Sequence, residues 1–382
     1  ADPPGGRVLR NADGTPSGLF QEAANGLVWP HAPEPTLAEI TSALSEALPK
    51  ASALGLVGLH NCESGDGMRA VQSLRERGEL PLRIVRYCPA HLLPELSGVG
   101  LWSGFGDEWV RLGGVKAFLD GSLGAQTAAM LEPYEGSDDR GVLTMEYDEL
   151  EQLLQRATDA RLAVALHAIG DRAVHVALDA FAAVRARSEG SWPRHRIEHA
   201  QHLVSGDIQR FADLGITASM QPAHMLADIE TCARHLGEQR SRWAFPLASL
   251  AAAGVNLAFG SDAPVETICP MMGIRSAMER RSWGGAPAGR GAPRARRPTP
   301  AASPSPPNVA TWWCGQPAER QFVLDRLDRL DRREVALVER AERGRPVRLE
   351  VTTGPAGGIL VEDEVRVRLG IEPADVAVVG TA

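Results

Sequence analysis

Leu162-Ala-Val-Ala-Leu-His167 gives way, past the junction Ala168-Ile-Gly-Asp-Arg172, to the amphipathic stretch Ala173–Arg187. A short apolar run that ends in a polar residue and leads into a helical pattern is half of a βαβ unit. Similar runs flank it on both sides: Leu56–His60, Leu82–Tyr87, Gly114–Leu119, Arg196–His199, Ile216–Met220 and Val255–Phe259. Helical patterns at Tyr147–Ala160, Ser205–Leu214 and Phe245–Ala253 lie between them. Short buried strands separated by helices imply right-handed crossovers and a parallel sheet. Seven in succession favour a (β/α)₈ barrel over an open doubly wound sheet. An early G-x-G-x-x-G, the mark of the dinucleotide-binding alternative, is missing.

Composition narrows the functional classes. With 382 residues, 44% of them apolar, the chain can bury a large core. A formal charge of −8 argues against a general nucleic-acid binder. No apolar run is long enough to cross a membrane. The five cysteines show no C-x-x-C pairing, which suits a reducing compartment, and a cytoplasmic location is expected.

Polar residues at the ends of the apolar runs carry the chemistry, because that edge of a barrel is its catalytic face. In order they are His60, Lys116 (within its run), His167, His199, Gln221 and Asp262. Each has a plain reading alone: a satisfied core histidine, a helix-capping aspartate, a lysine reaching the rim. Together they offer two imidazoles, a carboxylate and a lysine on successive strands, a donor set suited to a divalent metal.

Five segments carry a resemblance: Gly113-Gly-Val-Lys-Ala-Phe-Leu-Asp-Gly-Ser-Leu-Gly124, His167-Ala-Ile-Gly-Asp-Arg-Ala173, Arg196-Ile-Glu-His-Ala-Gln201, Gln221-Pro-Ala-His224 and Phe259-Gly-Ser-Asp-Ala-Pro-Val-Glu266. They resemble the amidohydrolase superfamily, and more closely its family-3 branch, which includes N-substituted formamide deformylases. The resemblance implies a (β/α)₈ barrel with a small flanking β-sandwich. It also implies a metal-dependent hydrolase of non-peptide carbon–nitrogen bonds, with a small amide-like substrate. By the same resemblance Lys116, His167, His199 and Asp262 match metal ligands, and the metal is zinc, as one or two ions. Lys116 matches a lysine carboxylated in many relatives, and Asp262 matches the general acid/base for metal-activated water. His224 is expected to polarise or bind the substrate carbonyl, or to sit plainly on the rim.

The family's first-strand His-x-His is absent, since none of the ten histidines has that spacing. The chain opens Ala1-Asp2-Pro3-Pro4 without an initiator Met. The expectation is therefore a barrel lacking its first strand, with an incomplete sandwich and one zinc per chain. The alternative is an inactive barrel fragment. Residues 1–283 are read as the barrel core, 284–320 as a Pro/Ala/Arg-rich linker, and 321–382 as an irregular C-terminal segment, helical over 321–343 and strand-like beyond. Assembly into a homo-oligomer is left open.

Overall fold

A computed structural model describes residues 2–31, 33–62 and 65–280, and four short strands further on. The chain opens with an antiparallel hairpin, β1 (Gly6–Arg10) and β2 (Pro16–Glu22). Strands and helices then alternate: α1 (Leu37–Ala53), β3 (Gly58–Asn61), α2 (Gly65–Glu76), β4 (Arg83–Pro89), α3 (Leu93–Gly98), β5 (Val110–Phe118) and α4 (Tyr147–Asp159). The series continues with β6 (Ala163–Ala168), α5 (Asp171–Arg187), β7 (Arg196–His199), α6 (Ser205–Leu214) and β8 (Thr217–Met220). It closes with α7 (His224–Ser241), α8 (Leu247–Ala252), β9 (Leu257–Phe259) and α9 (Pro270–Glu279).

Strands β3 to β9 lie side by side in chain order, and every neighbouring pair is parallel. The sheet is curled. Neighbouring strands are spaced about 4.8 Å apart, so β3 and β7 would lie roughly 19 Å apart if it were flat. Instead Arg196 Nη1 on β7 meets His60 Nδ1 on β3 at 2.6 Å across the concave side.

The edge beyond β3, where a missing first strand was expected, is taken by β13 (Val379–Thr381), paired parallel with β3. Among the described residues no pair joins β13 to β9, so the sheet forms an arc. Strands β10 (Leu349–Thr352), β11 (Gly358–Val361) and β12 (Val365–Val367) form a separate antiparallel sheet, close to the strand-like segments read from the sequence. The linker expected at 284–320 and the helix expected at 321–343 lie outside the described residues.

Helix faces follow from residue spacing. In α4, Leu150, Leu153, Leu154 and Ala157 recur at i, i+3, i+4 and i+7, and all four are buried. Each such leucine contributes roughly 1.5–3 kcal/mol by leaving water. In β6, Ala163–Leu166 are all buried, because helices and the sheet interior cover both faces. A strand covered on both sides reads as a continuous apolar run. Helix α6 stops at Gly215, whose φ of 66° is left-handed and easiest for glycine.

Beneath β6 the imidazole of His195 is fully buried and satisfied as a neutral ring. Val164 N–H donates to Nδ1 at 3.1 Å, Nε2 lies 3.3 Å from Thr158 Oγ1, and that hydroxyl donates onward to Leu154 O at 2.7 Å. Burial pushes the His195 pKa down to about 3. The unfolded chain, with an ordinary pKa near 6.5, therefore takes up a proton between pH 6.5 and 3 that the folded chain refuses. Stability supplied by neutral His195 is present above pH 6.5 and is lost as pH falls. At about 1.4 kcal/mol per unit the loss is on the order of 3 kcal/mol by pH 4. Urea titrations from pH 7 to 4.5 should give a shallower slope for His195→Gln than for the parent. Equal slopes would contradict the assignment.

Candidate metal centre

The strand ends converge on a cleft of about 680 Å³ lined by Lys116, His167, His199, His224 and Asp262, with Cys62, Glu198 and Gln221 at its floor. His199 is the last residue of β7, and Asp262 follows β9. Both have left-handed backbones, with φ of 72° and 54°. For His199 that conformation costs roughly 1–2 kcal/mol, whereas aspartate is among the few residues with a Cβ that enter it more readily. Such strain persists where the surroundings over-determine it, and it clusters at functional sites.

His224 starts α7, and its backbone N–H donates to Gln221 C=O at 3.1 Å. Its ring lies nearly parallel to that of His199, at 20° and 6.0 Å between centroids. One ligand atom each from His199, His224 and Asp262 lies within 4.8 Å of the other two. His224 Nε2 is buried and has no hydrogen-bond partner among the described residues. A buried imidazole nitrogen without a partner is costly unless something occupies its direction. Two imidazoles and a carboxylate at this spacing fit a divalent metal of the zinc type.

His167, at the end of β6, packs edge-on against His199 with ring centroids 4.5 Å apart. Its Nε2 lies 3.2 Å from Gly121 O. A carbonyl only accepts, so Nε2 carries the proton and Nδ1 keeps the lone pair. Burial above all pushes both histidines below the ordinary range; the charges of His199 and Lys116 add to it at His167, while at His199, which falls to about 3, the Asp262 charge opposes it. Both rings are therefore neutral near pH 7, the form that binds metal.

Lys116 Nζ sits 3.9 Å above the centre of the Phe118 ring. Burial pulls its pKa down, against the opposing charges of Glu198 and, to a smaller extent, Asp262. Burial pushes the Cys62 thiol up to about 11, so the cysteine on the floor is not a thiolate.

All five candidate residues thus share one cleft, but they are not equivalent within it. His199, His224 and Asp262 form the tight group, His167 adjoins it, and the Lys116 amine lies against Phe118. His224, expected to face substrate, stands with the ligand candidates. His60 also ends a strand, but its ring meets Arg196 and lies 5.9 Å from Tyr87 rather than lining the cleft. Two residues went unread. Glu198 is buried beside Arg196, their charged atoms 2.5 Å apart, and alternation along β7 aims both inward. Asp120 is buried behind His167. Its Oδ1 accepts from Ile169 N–H at 2.9 Å, and its Oδ2 from Gly170 at 2.8 Å and Ala129 at 2.9 Å. Burial nevertheless raises its carboxyl to about 7.

With that geometry in view, comparison with known proteins identifies the lineage. The profile of the amidohydrolase family matches residues 1–303. The chain belongs to that family. Among curated relatives, the chain is 35% identical over 293 residues to Protein LONG AFTER FAR-RED 3 of Arabidopsis thaliana, covering 73% of this chain and 50% of that one. It is 27% identical over 305 residues to an N-substituted formamide deformylase of Arthrobacter pascens, covering 75% and 55% respectively. The chain therefore spans about half the length of these relatives. A crystal structure of an uncharacterized metal-dependent hydrolase from Pyrococcus furiosus superposes with a TM-score of 0.60 at 29% identity, over 71% of this chain and 57% of that one. Among the described residues, Cys62, Cys88 and Cys232 form no disulfide, and no helix is long and apolar enough to cross a membrane.

Proposed function

We propose that this amidohydrolase chain forms the catalytic arc of a metal-dependent hydrolase of non-peptide carbon–nitrogen bonds, such as amides or N-substituted formamides. The observation that carries the proposal is the His199–His224–Asp262 group, with a buried and unbonded His224 Nε2, at the strand ends of a cleft sized for a small molecule. His199, His224 and Asp262 would hold a zinc ion, with His167 alongside. A zinc ion there supplies Lewis acidity towards a carbonyl and towards water. The Asp262 carboxylate takes a proton from the attacking water and returns it to the departing nitrogen. Burial lowers the pKa of Lys116, a shift in the direction of the free amine that adds CO₂, and a carbamate there would add a negatively charged ligand. Exposed Phe118 and Val265 at the mouth give the substrate an apolar edge to lie against.

The test uses the full chain stripped of metal and titrated with zinc. One zinc per chain and zinc-dependent release of amine from an N-substituted formamide are expected, with both lost in His199→Ala. Zinc bound at one per chain without turnover would favour the reading of a non-catalytic fragment. No zinc binding would remove the proposal.

A further inference from the structure

Among the buried polar side chains that line the cleft and that the reaction does not use is Gln221. Gln221 is 2% exposed and follows β8 directly. Its amide makes two contacts of opposite kind. Nε2 donates to Ser219 O at 3.3 Å, and Oε1 lies 2.8 Å from His199 Nδ1.

These contacts settle more than their own geometry. A backbone carbonyl has no proton to give, so the end of the amide facing Ser219 O must be the NH₂. Oε1 therefore faces His199, and a carbonyl oxygen accepts only when the imidazole nitrogen opposite carries a proton. In the neutral imidazole a proton on Nδ1 leaves the ring's lone pair on Nε2. The main chain of the same residue also holds the neighbouring donor, since Gln221 C=O accepts the His224 N–H at 3.1 Å. One residue thus orients two of the three clustered ligand candidates, His199 through its side chain and His224 through its backbone.

We infer that Gln221 is a positioning residue: its amide, anchored on Ser219 O, locks His199 in the Nδ1–H tautomer and presents the Nε2 lone pair to His224 and Asp262. Groups behind a metal-binding histidine fix its tautomer and ring orientation, and losing one typically weakens metal binding by about 10–100-fold. The zinc consequence rests on the proposed metal site. The tautomer assignment does not, because it concerns the metal-free chain.

The experiment has two arms. In the first, ¹⁵N-labelled histidine spectra of the full metal-free chain are recorded, with His199 assigned by its loss in His199→Gln. The wild-type protein should show His199 protonated at Nδ1. Gln221→Leu, close in size but without an acceptor, should shift His199 towards the Nε2–H form, and Gln221→Glu, which keeps an acceptor, should restore Nδ1–H. In the second arm, competition with a chelator should show zinc affinity about 10–100-fold lower in Gln221→Leu and recovered in Gln221→Glu. A wild-type His199 protonated at Nε2 would overturn the inference, whatever Gln221→Leu does to folding. So would a folded Gln221→Leu whose His199 stays at Nδ1–H. A tautomer shift without any zinc binding in the wild-type chain would uphold the positioning role and count against the metal site instead.

Discussion

Asp262→Asn should lower turnover of an N-substituted formamide by about 10²–10⁴-fold while leaving the unfolding midpoint within about 1 kcal/mol of the parent. The rate term is the usual share of a positioned general acid/base. Stability should hold because asparagine is among the few residues with a Cβ that enter the left-handed region readily, and Asp262 has φ of 54°. The replacement keeps the side chain's shape and one oxygen but can no longer take a proton. Zinc affinity should fall as well, so the assay must be run at saturating metal to separate proton transfer from metal loss. A variant that turns over within tenfold of the parent at saturating zinc would remove Asp262 from the proton pathway.

Asp120→Ala should cost about 4 kcal/mol or more of folding stability. The carboxylate collects three backbone N–H groups, from Ala129, Ile169 and Gly170, in a fully buried place. Alanine would leave all three donors unpaired at about 1–3 kcal/mol each. Space beside these amides is tight: a Cβ on Gly170 would meet Ala129 O at 2.0 Å. Asp120→Asn should lie between, since its carbonyl oxygen can accept but its NH₂ would oppose a donor. Urea unfolding at constant m-value reads the difference directly. A loss under 1 kcal/mol would mean that water or a local shift satisfies those amides.

The parallel strands were legible because short apolar runs alternate with helical patterns, most clearly at β6, where Ala163–Leu166 are buried throughout. His167, His199 and Asp262 were legible because a polar residue terminating such a run has little packing reason to be there. The pairing of β13 with β3 was not, since it joins residues more than 300 positions apart with no local signal. Nor could the sequence tell His60 from His199. Both end strands, and only the curl of the sheet turns one towards Arg196 and the other into the cleft. The place of His224 depends on the tight turn from Gln221, which returns the first residue of α7 over the strand ends. Asp120 was hidden for a different reason. Its partners are backbone amides, which any sequence supplies, so their convergence leaves no mark in residue types.

The order of the strands has a consequence in time. The clustered donors His199, His224 and Asp262 are separated by whole strand–helix units, and β7, β8 and β9 must all be in register before they meet. Pairings of this kind close long loops before any contact rewards them, which makes parallel sheets slow to assemble. A partly assembled chain can offer an incoming ion only scattered single donors. Full zinc affinity should therefore appear only after the last strand docks, which would make metal uptake a late clock for the folding of the arc.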